Sequence, residues 1–129
     1  MTVDDARWEA HMRYLSLFYA DEDAWMALPE IERDAAIGRI GEWFKEHAAA
    51  GKIVDGRKLA GGKRATTTVR LGRIQRGGDA PVVTDGPFVE AKEAVGSYAV
   101  VEVKDRDEAI GIAKRWPAGG LVEVRPVDE

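Results

Sequence analysis

The chain has 129 residues, no cysteine, two histidines, and 23 acidic against 19 basic side chains, for a formal charge of −4. That length suits one domain, and a hydrophobic fraction of 45% can bury a core, which argues against disorder. Without cysteine there is no disulfide scaffold, thiolate nucleophile or cysteine-ligated metal, and two histidines leave little for a transition-metal site, so no cofactor is expected. No apolar run approaches the roughly 20 residues of a membrane helix, and Met1–Asp5 lacks the basic start and apolar stretch of a signal peptide. A cytoplasmic protein without membrane contact is the expectation.

Met12–Ala20 is aromatic-rich and nearly continuously apolar, with only Arg13 and Ser16 polar. It reads as a central strand covered on both faces, and Asp21-Glu22-Asp23 ends it. The longest helical pattern runs from about Pro29 to Ala50. Pro29 suits a first turn, Glu30 and Glu32 favour the positive end of the dipole, and Gly51 supplies the stop. Ile37, Ile40, Phe44 and His47 form its expected buried stripe. Lys52–Leu59 follows as a strand and Ala60–Lys63 as a turn. Thr66–Leu71, extending toward Gln75, and a short strand around Val82–Thr84 make a hairpin. A turn at Asp85–Phe88 leads to a strand over Gly96–Val103. Asp105 then caps a helix through Glu108, with Ala109, Ile110, Ile112, Ala113 and Trp116 inward. Pro117 and Gly119-Gly120 stop that helix, and Leu121–Val127 is the last strand.

Two helices that each follow a strand and return the chain to one sheet define an α+β, ferredoxin-like split βαβ plan, here with an extra hairpin. Two helices cover one sheet face only. The cheapest cover for the other is a second copy, so a homodimer packed sheet against sheet is expected.

The charge is uneven. Residues 1–56 carry 12 acids and 6 bases, residues 77–129 carry 11 and 6, and residues 57–76 hold seven bases and no acid. With no aromatic side chain interleaved to stack on bases, the basic block reads as a solvated hairpin facing acidic helices rather than a nucleic-acid surface.

Residues 84–98 read TDGPFVEAKEAVGSY. This D-G-P-F, E-x-K-E, G-x-Y sequence resembles the signature of the DGPF proteins, a branch of the YCII-related family. Met12–Leu15, Thr66–Arg70 and Val122–Val127 resemble the family's opening, central and closing strands. The likeness covers about residues 12–127 and leaves 1–11 as an N-terminal extension to a domain over 12–129. It implies a ferredoxin-like dimeric α+β barrel. In some members a His/Asp pair is proposed for acid–base chemistry, and one degradative relative acts on a chlorinated hydroxyquinol. The matching positions here are near Ile40 and at Trp116, so that pair is not carried over. The DGPF branch also resembles proteins often encoded beside extracytoplasmic-function sigma factors, which implies a regulatory or stress context.

Asp85 has two jobs open to it: accepting an N–H two or three residues on, which would set up the Gly86-Pro87 turn, or acting as a catalytic base. Glu90, Lys92 and Glu93 form a dense charged cluster that turn chemistry does not require, in the kind of segment where sites concentrate; Ala91 stands where the family often has a hydroxyl. Trp25, Tyr19, Phe88 and Tyr98 are pocket-lining or core aromatics, and Arg125 is the best anion-binding candidate outside the motif. Ligand binding is therefore assigned to Glu90, Lys92, Glu93, Tyr98, Arg125 and Trp25. His47 suits a helix C-terminus better than catalysis, and His11 is weaker still. The leading expectation is a homodimeric small-molecule-binding domain, linked to stress or sigma-factor regulation. The alternative is a small acid–base enzyme acting on a hydroxylated or anionic, aromatic-type substrate, with Asp85 as base and Lys92 or Arg125 as anion holder. A structural or protein-docking module is third.

Overall fold

The computed structural model describes residues 12–71, 80–87 and 93–128. Among the described residues, six strands and three helices follow one another as β1 (Met12–Asp21), α1 (Glu22–Ala27), α2 (Glu30–Ala49), β2 (Ile53–Lys58), β3 (Thr67–Arg70), β4 (Val82–Asp85), β5 (Glu93–Val103), α3 (Arg106–Lys114) and β6 (Leu121–Pro126), with a 3₁₀ turn at Gly62–Ala65. Four strands form one antiparallel sheet in the order β2-β5-β1-β6, and β3 pairs with β4 as a separate two-stranded ribbon. This is the ferredoxin-like α+β arrangement with an inserted hairpin. Among the described residues the sheet is open and closes no barrel. No helix among the described residues is long and apolar enough to cross a membrane.

Both long helices pack on the same side of the sheet. Met12, Tyr14, Ser16 and Phe18 of β1 and Ser97, Ala99, Val101 and Val103 of β5 alternate into that layer. They meet Trp43 of α2 and Ala109 and Ile112 of α3. The Trp43 indole N–H donates to the Ile112 carbonyl at 3.3 Å, which ties the helices together and satisfies a polar atom that burial would otherwise penalise. Asp105 caps α3 as its sequence suggests, its carboxylate accepting from the Glu108 N–H at 2.8 Å. Gly51 follows α2 with φ +74°, the left-handed conformation that suits glycine at a helix end.

Two expectations change and one helix is added. The strand β1 is central but covered on one face only: its odd-numbered residues Arg13, Leu15, Leu17 and Tyr19 are half-buried, because both long helices lie against the even-numbered face. Asp21 ends β1 as expected, and it also begins an element that was not expected, accepting from the Ala24 N–H at 3.1 Å to cap the short helix α1. On α2 the buried stripe is Ala36, Ile40, Trp43 and His47, while Ile37 is 43% exposed and Phe44 half-buried. The Trp43 ring accounts for this rotation: it sits edge-on to Phe18 at 5.3 Å and to Trp116 at 5.1 Å, and it draws its own side of the helix inward.

Candidate functional site

The sheet face away from the helices carries the most organised polar chemistry. Its position is set by a bulge. Ile53 pairs with Val101, but Asp55 pairs with Val100, so Val54 is an extra residue in β2. Plain alternation from the inward Ile53 would send Asp55 and Arg57 into the core; the bulge turns both outward and Gly56 inward. A Cβ on Gly56 would lie 2.7 Å from the Phe44 ring, so glycine is what lets β2 pass beneath α2.

The outward side chains form rows across the sheet. Arg57 pairs with Tyr98, Tyr98 with Leu17 and Leu17 with Glu123; in the next row Asp55 pairs with Val100, Val100 with Leu15 and Leu15 with Arg125. Apolar Leu15, Leu17 and Val100, all half-buried, thus run down the middle, with an acid and an arginine on each edge strand. The Tyr98 hydroxyl donates to Asp55 Oδ2 at 2.9 Å, and the Gly56 N–H donates to Asp55 Oδ1 at 2.9 Å. Asp55 is therefore held at both oxygens. That hydrogen bond raises the Tyr98 phenol above its ordinary value, with Arg57 pulling the other way. On the opposite edge a hydrogen bond with Glu123 raises the Tyr19 phenol in the same manner.

The residues singled out in the sequence fall in four places. Tyr98 and Arg125 lie on this open face, at β5 and at the edge strand β6. Trp25 lies on α1, half-buried, with the Lys58 ammonium 5.9 Å from its ring centroid. Glu93 begins β5 opposite Asp21, and its Oε2 is buried without a hydrogen bond among the described residues. Asp85 ends β4 in the separate ribbon and is exposed; its carboxylate makes no hydrogen bond among the described residues. The residue two on is Pro87, which has no N–H, so the turn bond expected of Asp85 has only Phe88 left as donor. Phe88, Glu90, Lys92 and His11 lie outside the described residues. Asp55, Arg57 and Glu123 were missed. The signal available for them was an Asp-x-Arg and a Glu-x-Arg on two edge strands, spacing that puts both charges of a pair on one face.

On the helix side the chemistry is aromatic and structural. Trp116 stacks on Phe18 with centroids 3.9 Å apart and planes at 26°, and Trp43, Phe44 and His47 complete the cluster. The two positions matching the family's proposed acid–base pair thus hold a buried Ile40 and this stacked Trp116. His47 is 5% exposed, its Nε2 has no hydrogen-bond partner among the described residues, and burial lowers its pKa. A shallow groove of about 350 Å³ runs between α3 and β6, lined by Ile110, Ala113, Lys114, Val122 and Val124. Its lining side chains offer one cation, Lys114, and no acceptor with which to orient a ligand. Among the described residues no three metal-ligating side chains converge.

A ferredoxin-like sheet with both long helices on one face, an inserted ribbon and a polar site on the other face defines a small α+β domain of a recognisable class. The chain belongs to the YCII-related family, whose domain model matches residues 12–129. It is similar to an uncharacterized protein of Rhizobium meliloti (strain 1021), with 28% identity over 120 residues, covering 90% of this chain and 92% of that one.

Proposed function

We propose that the chain is a homodimeric small-molecule-binding domain whose ligand lies over the open sheet face, beside Asp55, Arg57 and Tyr98 and within reach of Arg125. The observation that carries this reading is the Asp55 carboxylate, fixed at both oxygens, with a phenol and a guanidinium in the adjoining row. A few positioned polar groups beside an apolar surface are what a small ligand needs for orientation and affinity. A ligand hydroxyl or amine would donate to Asp55, and an anionic oxygen would accept from Arg57. The apolar stripe Leu15, Leu17 and Val100 with charged edges has the core-and-rim composition of a protein interface, and a second copy facing it would turn an open surface into a cleft.

The acid–base alternative draws on the same pair: a carboxylate held in place by a phenol and a backbone N–H is a positioned proton acceptor for a hydroxylated substrate. A connection to stress or sigma-factor regulation is carried by the family resemblance alone.

Thermal-shift screening against small hydroxylated and anionic metabolites tests the reading, using the wild type, Arg57→Gln, Tyr98→Phe, Asp85→Ala and Lys92→Ala. The expected result is a ligand-induced shift that Arg57→Gln and Tyr98→Phe abolish and the other two retain. Shifts unchanged in Arg57→Gln and Tyr98→Phe would take the open face out of the site. Sedimentation velocity of the wild type and Leu17→Glu reads the dimer, which the buried charge should dissociate.

A further inference from the structure

The open sheet face carries unlike charges at the two ends of each row. Arg57 of β2 and Glu123 of β6 end one row, and Asp55 and Arg125 end the next, so the signs alternate along each edge as well as across the sheet. All four side chains are exposed, and neither arginine makes an ion pair among the described residues. The pattern continues to either side. Leu59, two residues past Arg57 and joined to β5 by its N–H donating to the Gly96 carbonyl at 2.8 Å, faces the same way as Arg57. Leu121 holds the matching place on β6, next to Tyr19 and Val95, and Leu59 and Leu121 are 43% and 47% exposed. On the other side of Asp55 comes the row of Glu102 and Arg13, whose charges meet at 3.3 Å.

A second copy facing this surface with its strands aligned, as in sheet-on-sheet packing, meets it in complement. A two-fold axis parallel to the strands, between β5 and β1, sets β2 over the partner's β6 and β5 over the partner's β1. Arg57 then faces the partner's Glu123, Asp55 faces the partner's Arg125, Leu59 faces the partner's Leu121 and Glu102 faces the partner's Arg13. In the middle, Tyr98 and Val100 meet the partner's Leu17 and the partner's Leu15. A two-fold axis across the strands also pairs unlike charges at the edges, Arg57 with the partner's Asp55 and Arg125 with the partner's Glu123. It lays the charged row of Glu102 and Arg13 on Val95 and Tyr19, however. The axis along the strands satisfies every row.

We propose that the dimer forms on the axis along the strands, so that each ligand site is shared: Asp55, Arg57 and Tyr98 come from one protomer and Arg125 from its partner. Within one chain β2 and β6 are the two edges of the sheet. Three strand spacings, about 14 Å, separate Asp55 from its own Arg125, farther than a small ligand held beside Asp55 spans. The partner's Arg125 lies directly across from Asp55 and supplies the cation for an anionic group whose neighbouring hydroxyl donates to Asp55. The ligand class is a small hydroxylated anion, with two equivalent sites per dimer. The alternating charges also disfavour slipped registers, which would set like charges together. The inference rests on the homodimer reading above and names the chain from which each arginine of the site comes.

Charge reversal followed by sedimentation velocity tests the arrangement. In full-length Arg57→Glu and in Glu123→Arg, each alone, like charges face each other twice per dimer, and the dissociation constant should rise by about tenfold or more. Mixed, the two proteins should form a heterodimer close to wild-type strength, because every facing pair at these positions is then unlike; that recovery also shows both variants folded. Weakened single variants without recovery in the mixture overturn the axis while leaving the homodimer standing. Single variants that dimerise as tightly as the wild type remove this face from the interface and overturn the shared site. A monomeric wild type overturns the homodimer and the shared site together. The cysteine-free chain allows a second measurement. Asp55→Cys and Arg125→Cys proteins, mixed, allowed to exchange protomers and treated with a short bismaleimide, should cross-link to each other in preference to themselves. A mixture that dimerises and gives no such cross-link overturns the shared site.

Discussion

The Tyr98 hydroxyl donates to the Asp55 carboxylate at 2.9 Å, across the β5–β2 pairing and on the face that the helices leave uncovered. The phenol then loses its partner's favourable field on ionising, so its titration lies above the ordinary 10.0. Replacing Asp55→Asn removes the negative charge and is expected to move one tyrosine titration down toward 10, while Tyr19, raised by Glu123, keeps its own upward displacement. Alkaline spectrophotometric titration near 295 nm reads the difference. Identical curves for the wild type and Asp55→Asn would disprove the coupling.

His47 titrates in the opposite sense. Burial on α2 disfavours its charged form, with Glu46 opposing and Arg115 reinforcing the shift, so the folded pKa lies below 6.5. The unfolded chain therefore takes up a proton first as the pH falls. Stability is expected to be constant above pH 6.5 as far as His47 is concerned, and to decline below it until the folded imidazole also protonates. Urea unfolding midpoints between pH 7.5 and 5 measure this, and His47→Leu should flatten the slope in that interval. An unchanged slope would assign it to other groups.

Gly56 and Gly120 are close-approach positions of different severity. Alanine at Gly56 meets the Phe44 ring and, at 3.1 Å, the Tyr98 carbonyl oxygen. The ring can yield in part, so a loss of about 1–3 kcal/mol is expected. At Gly120 the φ is +76° and a Cβ would fall on the Tyr19 carbonyl oxygen, which belongs to the backbone of β1. Gly120→Ala should cost about 3 kcal/mol or more, through strain and displacement of β6. Chemical denaturation of the two variants gives the ranking; equal losses would contradict it.

Trp116 closes the aromatic cluster by stacking on Phe18. Because the ring is only half-buried, Trp116→Ala should destabilise by about 2–4 kcal/mol, toward the low end for large aromatic truncations in cores. Trp116→Phe should recover much of the loss. Near-ultraviolet circular dichroism and denaturation midpoints report both, and a Trp116→Ala variant as stable as wild type would show that the stack contributes little.

The chain order of strands and long helices, the cap at Asp105 and the stop at Gly51 were legible along the sequence because each depends on neighbours a few residues away. So was the family, since the DGPF-like segment and the three strand matches are local strings. The helix α1 was hidden: at six residues its acidic start reads like the end of a strand. On α2 the expected Ile40 and His47 are buried, while Ile37 and Phe44 give way to Ala36 and Trp43, because Phe44 and Trp43 are equally plausible anchors until Phe18 and Trp116 are brought against one of them.

The sequence by itself determined the α+β order, the cysteine-free chemistry and a basic block between two acidic stretches. Only the tertiary structure decided which side chains share the open face. Strand alternation from Ile53 points Asp55 and Arg57 inward, and the extra residue at Val54, fixed by pairing with β5, points them out beside Tyr98. A bulge has no local signature in the residues that form it. It exists because Gly56 must pass under Phe44 while β2 keeps its hydrogen bonds to β5, and those are contacts between separate elements of the chain, with a separation of 43 residues between Tyr98 and Asp55.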